Sequence, residues 1–427
     1  MRCKKKLKKI KYIDLFAGIG GIRLGLEQSL KEKNIESECV FTSEIKPHAI
    51  SVYKENFPNT TIYGDIKQIK SSDIPDFDIL LAGFPCQPFS SAGRRKGFAD
   101  IRGTLFFEIA RILKDKKPRY FLLENVENLI IHDLSKEDKE NGEQIGNTFK
   151  TILNVLEKEL DYTVSWKVLQ ASDFGIAQIR RRIFIVGSKD KKINLDNFIK
   201  THKSFGEIQE HIEFEQDDFA QKICDYLTQN NLPISYLYDK SIRDKRGQEN
   251  NLHSWNLNLR GETTQEQREL MDALFENRKK KKLAEKKGVP LKDGVGLDIS
   301  ELQSLYKGKT FINDVISLYN MGYIKKYKIP EYNQNLYDIK CGRLSFPYTK
   351  FIDPNKPCLT LVATDATHLG IIDGNKIRKL TIRECLRLNG FPEDFTMDSV
   401  NYNKSIDLLG NTVVVPVIKT ICDRIFE

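Results

Sequence analysis

The sequence predicts an α/β fold, in which a mostly parallel sheet carries helices on both faces, together with a second, smaller and irregular domain. Three observations predict it: short apolar runs alternate with helical patterns over the first 190 residues, the alternation is lost from about residue 189, and it returns near the end. Strands that alternate with helices are typical of βαβ units. We therefore expect a first domain at 1–188, a second at 189–375 and a return to the first at 376–427.

Seven short apolar runs predict the strands of the first domain. In chain order they are Tyr12–Phe16, Cys39–Ser43, Thr61–Tyr63, Asp78–Ala82, Tyr120–Leu123, Val164–Gln170 and Arg182–Gly187. Amphipathic stretches lie between them. At 148–160, for example, Phe149, Ile152 and Leu156 recur at helical spacing, which predicts a helix before the sixth strand.

Two capping-box pairs and a glycine-containing turn predict the later helices. Thr263 with Glu266 predicts a helix in the second domain, and Thr381 with Glu384 predicts a short helix in the returning segment. The turn at 410–412 then opens a last apolar helix, which we expect to pack against the first domain.

Composition narrows the class of protein. The 427 residues include 68 basic and 59 acidic residues, a net charge of +9. No apolar run approaches the roughly 20 residues of a membrane span, and the basic start lacks the apolar segment of a secretory signal. The eight cysteines are scattered singly with no C-x-x-C pair, so we expect neither disulfides nor a metal site, and a cytoplasmic location.

Positive charge is concentrated in two segments. Residues 1–11 hold seven basic residues and no acid, and residues 278–287 hold seven basic residues and one glutamate. Such clusters suit a polyanionic partner, because phosphate neutralisation releases counterions. A solvated surface run is the alternative for either segment taken alone.

The turn after the first strand and the acids after the next two indicate a ligand site. Residues 14–21 read D-L-F-A-G-I-G-G, and glycines there allow a tight turn and close approach of a ligand. Such a turn alone fits a dinucleotide, a phosphate or no ligand. Glu44 and Asp65 end the second and third strands, where carboxylates can accept hydrogen bonds from ribose hydroxyls and an adenine amino group. Either acid alone would equally fit a helix cap.

The next strand ends carry residues suited to catalysis. Cys86 lies between two prolines after the fourth strand, and a thiol on a stiff exposed loop suits a nucleophile. Glu124 ends the fifth strand and could donate a proton. Strand alternation places Arg180 and Arg182 on one face, where two guanidinium groups suit a carbonyl oxygen, a phosphate or a carboxylate.

Together these residues closely resemble the DNA (cytosine-5) methyltransferases, in the form found in prokaryotic restriction–modification systems. The matching blocks, in family order, are Asp14–Gly21 with Glu44 and Asp65, Gly83–Ser90, Arg102–Phe106 with Glu124–Val126, Gln178–Gly187, and Leu380–Pro392 with Gly410–Val417. The block F-P-C-Q-x-F-S with E-N-V is highly specific. The resemblance fails across 189–375, where that family carries a variable target-recognition domain.

The resemblance implies a Rossmann-like sheet that binds S-adenosylmethionine. Phe16 would stack on the adenine, Glu44 would bind the ribose, and Asp65 would meet the adenine amino group. The cofactor-binding residues implied are Phe16, Gly18, Gly20, Gly21, Glu44, Asp65, Leu105 and Asn411.

For catalysis the resemblance implies that Cys86 adds to C6 of cytosine, Glu124 protonates N3, and Arg182 binds O2 with support from Arg180. A base inside a duplex is out of reach, so the cytosine must flip out, with DNA in the cleft between the domains. The residues expected against the base or the DNA are Gln87, Ser90, Asn125 and Thr360. The expected partner is double-stranded DNA with a short specific site. We also expect a monomer, and a prokaryotic cytoplasm with attachment to the nucleoid through DNA. The enzyme would either share its site with a restriction endonuclease, as in a type II restriction–modification system, or be a solitary host methyltransferase.

Three alternative hypotheses compete with a DNA (cytosine-5) methyltransferase. Transfer-RNA cytosine-5 methyltransferases share nearly all these motifs, but they carry a Cys-Phe-Thr signature that is absent here, and the insert of this chain is longer. A non-catalytic DNA-binding relative would lack the nucleophile, the acid or a cofactor residue, and Cys86, Glu124, Glu44 and Asp65 are all present. A large multidomain regulator is not expected, because little sequence lies before Tyr12 or after the last block.

Overall fold

A computed structural model describes residues 9–84, 105–135, 140, 142–244, 251–288, 294–330, 332–340, 346–363 and 365–427. The chain divides into two compact units. The first comprises Met1–Glu210, Pro354–Ala366 and Thr381–Glu427, and the second comprises His211–Asp353 and Thr367–Leu380. These bounds differ from the predicted 189–375, because residues up to Glu210 and the segment Pro354–Ala366 lie in the first unit. Within that segment, Cys358–Leu359 pairs with Gln178–Ile179.

Strands and helices follow one another closely in both units. The strands are β1 Ile10–Leu15, β2 Ser37–Ser43, β3 Ile62–Tyr63, β4 Ile79–Gly83, β5 Tyr120–Val126, β6 Thr163–Gln170, β7 Gln178–Ile179, β8 Arg181–Ser188, β9 Ser241–Ile242, β10 Asn251–Leu252, β11 Ile324–Ile329, β12 Tyr332–Ile339, β13 Lys350–Phe351, β14 Cys358–Leu359, β15 Leu369–Asp373 and β16 Lys376–Lys379. The helices are α1 Gly21–Glu32, α2 Pro47–Asn56, α3 Leu105–Lys116, α4 Asn147–Asn154, α5 Asp218–Gln229, α6 Gln265–Asn277, α7 Lys281–Lys286, α8 Ile299–Leu305, α9 Phe311–Met321, α10 Ile382–Arg387, α11 Tyr402–Asn411 and α12 Val415–Ile425.

The first unit is built on a seven-stranded sheet with the order β3-β2-β1-β4-β5-β8-β6. All seven predicted strands belong to it. Only β8 runs against the others, since it pairs antiparallel with both β5 and β6. The prediction of a mostly parallel α/β sheet is therefore confirmed, with one reversed strand next to its edge.

Helices cover both faces of this sheet, as the near-continuous apolar runs of β1, β4 and β5 require. On one face, residues of α3 and α4, such as Ile109 and Ile152, pack against Leu80 and Phe121. On the other face, α1 and the C-terminal helix α12 pack against the alternate strand residues. Gly25 of α1 lets these two helices approach closely, because a Cβ there would lie 2.6 Å from Ile418.

The second unit combines a five-stranded sheet, β10-β9-β13-β15-β16, with the hairpin β11–β12 and helices α5–α9. The predicted capping pair Thr263–Glu266 is wrong by one residue. Thr264 caps α6 with Gln267, whereas the buried Thr263 hydroxyl donates to the Trp255 carbonyl at 2.9 Å and so cannot cap. The pair Thr381–Glu384 caps α10 as predicted.

Within the described residues, one stretch is long and apolar enough to cross a membrane by length and composition, namely Tyr402–Ile425. In the most apolar part of this stretch, 72% of the residues are buried inside the protein. It corresponds to α11 and α12, and α12 contributes to the core of the first unit.

Candidate active site

A cavity of about 680 Å³ opens at the carboxyl end of the parallel strands in the first unit. Its wall is formed by the segments that follow β1, β2, β3, β4 and β5, by the start of α3, by residues around β8 and by the end of α11. Open α/β sheets bind ligands at this edge. The predicted site residues that line the cavity are Phe16, Gly18, Glu44, Asp65, Leu105, Glu124, Asn125, Arg180, Arg182 and Asn411.

The predicted residues Cys86, Gln87 and Ser90 lie outside the described residues. The chain is described up to Phe84, which lines the cavity together with Gly83. Gly83 pairs with Glu124 in the register of β4 and β5. In the sequence, Cys86 follows Phe84 by two positions.

The turn after β1 adopts an unusual backbone that exposes the chain to the cavity. Phe16 has φ +54°, a left-handed conformation that costs a residue with a Cβ on the order of 1 kcal/mol. Gly18 has φ +55°, and a Cβ placed there would meet no atom within 4 Å. At Gly18 the backbone thus faces open space, which leaves room for a ligand to approach it.

Gly20 and Gly21 do not line the cavity, and their predicted contact with a cofactor stays a prediction. A Cβ on Gly20 would lie 2.4 Å from the ring of Phe57, and one on Gly21 would lie 2.9 Å from Val413. These two glycines therefore make room for protein side chains. They allow α1 to start close to its neighbours and so position the turn indirectly.

The two acids at the ends of β2 and β3 are held by backbone amides. The carboxylate of Glu44, 8% exposed, accepts hydrogen bonds from the N–H groups of Gly18 at 2.8 Å, Ile45 at 2.7 Å and Lys46 at 2.9 Å. Asp65 accepts from the Lys67 N–H at 3.0 Å and caps a short 3₁₀ turn. The cap interpretation and the ligand interpretation of Asp65 are thus compatible, because the same residue also borders the cavity.

An acid and a guanidinium also line the cavity. Glu124 Oε1 lies 3.2 Å from Arg182 Nε, and both side chains are largely buried. Burial raises the pKa of Glu124, while the positive charges of Arg182 and Arg180 oppose that shift. A carboxyl group with a raised pKa holds its proton to higher pH, which suits a proton donor.

Arg180 connects three segments of the first unit. Its guanidinium donates to the carbonyl oxygens of Leu361 at 3.2 Å, Gly410 at 3.1 Å and Thr412 at 2.5 Å. Burial and the positive charge of Arg182 lower the pKa of Arg180 to about 9, although the negative charge of Glu124 opposes this shift. With its donors directed to backbone carbonyls, Arg180 is suited to supporting the cavity wall.

Arg181 points away from its two neighbours, as the strand alternation predicts. Its guanidinium forms an exposed two-bonded ion pair with Glu127, with contacts of 2.8 and 2.7 Å. Arg180 and Arg182 both line the cavity. Arg182 differs from Arg180 in that its side chain is partly accessible and forms an ion pair with Glu124.

The remaining predicted residues contact the backbone. The buried Asn125 amide donates to the Phe84 carbonyl at 2.9 Å and so fixes the chain just before Pro85. The Thr360 hydroxyl donates to the Ile179 carbonyl, and Thr360 does not line the cavity. Asn411 lines the cavity, and its amide donates to the Asp407 carbonyl at 2.8 Å.

The sequence analysis missed a buried polar cluster beneath the turn after β1. The Asp14 carboxylate is 1% exposed and accepts from the Tyr53 hydroxyl at 3.2 Å, and Arg23 donates to that hydroxyl at 3.2 Å and to Thr60 at 2.7 Å. Burial raises the pKa of Asp14 to about 8. The signal was present, because a charged residue inside an apolar strand is rarely buried without a purpose.

His132 is a second residue that the sequence analysis did not single out. It lines the cavity with Asn128, on the segment that follows β5. That segment is anchored by Asp133, whose carboxylate accepts from the Thr148 N–H at 3.0 Å and from the Thr148 hydroxyl at 3.0 Å. No motif in the sequence marks His132, because it reaches the cavity only through the path of this segment.

Comparison with known proteins gives a consistent result. The family model of C-5 cytosine-specific DNA methylases matches residues 10–427. The chain is 45% identical to the type II methyltransferase M.NlaIV of Neisseria lactamica, over 99% of this chain and 100% of that protein. It is 38% identical to the type II methyltransferase M.BanI of Aneurinibacillus aneurinilyticus, over 98% and 96%. The solved structure of the Entamoeba histolytica methyltransferase EhMeth shares the fold, with 17% identity, a TM-score of 0.51 and 98% coverage of both chains.

Proposed function

The chain belongs to the family of C-5 cytosine-specific DNA methylases, and we propose that it methylates cytosine at C5 in duplex DNA as the modification enzyme of a type II restriction–modification system. The relatives named type II methyltransferases cover its full length, which favours this biological setting. The proposal includes a short specific DNA site, a restriction endonuclease that shares it, a monomeric enzyme and a cytoplasmic location.

One observation carries the chemical part of the proposal. A raised-pKa carboxyl group, Glu124, and the guanidinium of Arg182 lie in the same cavity as the open backbone at Gly18 and the carboxylate of Glu44. A group that can hold a proton and a group that can bind a carbonyl oxygen are thereby next to a wall suited to a nucleoside-like ligand. Transfer of a methyl group between two bound molecules needs this proximity.

The cavity suits S-adenosylmethionine, whose use the family implies. The open cradle at Gly18 would accept the cofactor against the backbone, and the Phe16 ring would contact the adenine. Glu44 would exchange part of its amide bonding for the ribose hydroxyls, and Asp65, Leu105 and Asn411 would complete the pocket. When bound, S-adenosylmethionine supplies an electrophilic methyl group carried on a sulfonium.

The residues of this chain would activate the cytosine. C5 of cytosine is a poor nucleophile, so the Cys86 thiolate adds to C6 and forms a C6–S bond. The Glu124 carboxyl holds a proton at N3, which allows the electron pair displaced from the C5–C6 double bond to collect at C5. Arg182 binds O2 and orients the ring, while Arg180 and Asn125 hold the backbone on either side.

Release of the product breaks the C6–S bond that was formed first. After C5 has gained the methyl group, a base removes the C5 proton, the double bond re-forms and the thiolate of Cys86 leaves C6. Glu124 recovers the proton at N3. Cys86 can reach C6 only when the target cytosine is outside the duplex, so this nucleobase flips into the cavity.

Methyl transfer from labelled S-adenosylmethionine to unmethylated genomic DNA tests this function. The proposal expects labelled DNA with the wild-type chain and none with Cys86→Ala, and bisulfite sequencing of the product would then identify the site. Transfer RNA serves as a second substrate: label in transfer RNA alone would contradict the DNA substrate. Absence of label in both, with the cofactor still bound, would contradict catalysis altogether.

A further inference from the structure

The basic segment at 278–287 forms one side of a depression in the second unit. The depression has a volume of about 300 Å³. Lys280, Lys282 and Lys286 line it, together with Asn277 and Ser304. Three lysine residues thus line one concave surface.

The structure divides the seven basic residues of this segment into two sets. The first set is buried: Arg278 Nε and Nη2 lie 2.5 and 3.0 Å from the two oxygens of Asp338, and Lys287 Nζ lies 2.6 Å from Glu301 Oε2. The second set, Lys279–Lys282 and Lys286, is exposed. Buried ion pairs lose hydration and require good geometry, so the first set anchors the segment at both ends.

The anchors keep the exposed lysines in place. Leu283 and Ala284 of α7 pack in a small apolar cluster with Tyr327 and Leu336 of the hairpin β11–β12. The position of the helix is therefore fixed from its buried side before any ligand binds. A prearranged set of cations loses less conformational freedom on binding than a disordered basic run does.

Positive charge remains in excess at the depression after the nearby acids are counted. Glu301 is its one acidic lining residue among those described, and it already pairs with Lys286 at 2.9 Å and with Lys287 at 2.6 Å. Glu285 lies 3.5 Å from Lys281. Lys280 and Lys282 line the same depression and add two further positive charges to it.

We propose that this lysine-lined depression is a phosphate site that holds the backbone of duplex DNA, an inference that rests on the proposed function. The substrate is a polyanion with a phosphate at every nucleotide, and lysines bind such groups as compact point charges. Asn277 and Ser304 already donate to the carbonyls of Ala273 at 2.8 Å and Glu301 at 2.6 Å, so the lysines carry the binding. Backbone contacts of this kind hold and orient a duplex without reading its sequence.

The test is the salt dependence of binding to a duplex made only of A·T pairs, about three helical turns long. This duplex has no target cytosine, so it isolates the backbone contribution. The triple variant K280Q/K282Q/K286Q should bind more weakly, and the slope of log K against log salt should fall by about 2–3, because each lost phosphate contact contributes about 0.9. The triple lysine-to-arginine variant should retain the wild-type slope.

A matched control removes the same charge elsewhere in the second unit. Lys222 of α5 and Lys376 and Lys379 of β16 are exposed, and changing all three to glutamine should alter the slope by less than about 1. Circular dichroism and binding of S-adenosylmethionine verify that each variant is folded.

Three results would overturn the inference. They are an unchanged slope in K280Q/K282Q/K286Q, an equal effect of the control variant, and loss of binding to a structured RNA but not to the duplex. Failure of the proposed function is distinguishable from all three, because it would abolish methyl transfer to genomic DNA by the wild-type chain.

Discussion

Replacing Arg180 by lysine should destabilise the first unit, because its guanidinium holds three backbone carbonyls at once. It donates to Leu361, to Gly410 through two nitrogens and to Thr412. A lysine ammonium keeps the charge but presents its donors from a single point, and it can retain about one of these carbonyls. Two buried carbonyls would then lose a charged hydrogen bond.

The magnitude follows from those two lost bonds. A hydrogen bond to a charged group is worth about 1.5–3 kcal/mol, so the loss is about 3–6 kcal/mol, with the lower end expected if water reaches the carbonyls. For a unit of this size that is a fall in Tm on the order of 6–12 °C. Urea unfolding gives the global change, and hydrogen exchange of the backbone at 358–363 and 408–413 should accelerate locally.

Arg182→Lys is the matched control, because Arg182 lies next to Arg180 in sequence but makes one ion pair, with Glu124, and one backbone bond. It should lower Tm far less and lower methyl transfer far more, since its expected function is to bind O2 of the base. Unchanged unfolding and hydrogen exchange in Arg180→Lys, or an equal loss of stability in both variants, would contradict this function of Arg180.

Three further predictions concern the core, the buried acid beneath the first turn and the catalytic acid. Gly25→Ala should lower the free energy of urea unfolding by up to about 2 kcal/mol, because the clash with Ile418 outweighs the gain of about 1 kcal/mol in helix propensity. Gly64→Ala is the control and should leave the free energy of unfolding unchanged, because a Cβ there meets nothing within 4 Å. The pKa of Asp14 is raised in the folded state, so its stabilising contribution is complete below the unfolded pKa near 3.8 and is lost as pH rises through about 8. Asp14→Asn should remove this loss, so that between pH 6 and pH 9 the unfolding free energy of the variant should rise relative to that of the wild type by on the order of 2 kcal/mol. The absence of this relative rise would contradict a buried acid at position 14. Glu124→Gln should lower kcat about a hundredfold or more in labelled methyl transfer while leaving cofactor binding intact. A loss of cofactor affinity with kcat unchanged would contradict a role of Glu124 as the proton donor.

Much of the first unit was predictable because its elements are encoded locally. The strands are short apolar runs buried on both faces, and their ends mark the cavity because parallel strands bring their carboxyl ends to one edge. Glu44, Asp65 and Glu124 could therefore be placed from strand positions alone. The cap of α10 was equally local, since Thr381 and Glu384 are three residues apart.

The remaining features depend on contacts between distant parts of the chain. Gly20 and Gly21 are adjacent to Gly18 in sequence, but their environment is set by Phe57 and Val413, which no local pattern reveals. Thr263 resembles a cap in the sequence, yet burial against Trp255 moves the cap to its neighbour.

Long-range pairing also decides the position of Thr360. The strands β7 and β14 are only two residues long, which is too short for a hydrophobic periodicity that would predict them from the sequence. Their pairing brings Thr360 to the Ile179 carbonyl and makes 354–366 part of the first unit. Likewise the basic segment reads as a uniform charge run, and only the fold separates the buried Arg278 and Lys287 from the exposed lysines.

The most direct test of the central claim is capture of the bond between Cys86 and cytosine C6. A duplex amplified with 5-fluorocytosine in place of cytosine provides the probe, because C5 then carries no proton to lose and the thiolate cannot leave after methyl transfer. With S-adenosylmethionine present, we predict a covalent protein–DNA complex whose peptide map places the methylated base on Cys86. A complex attached at another residue, or no complex from a preparation that methylates ordinary DNA, would contradict it.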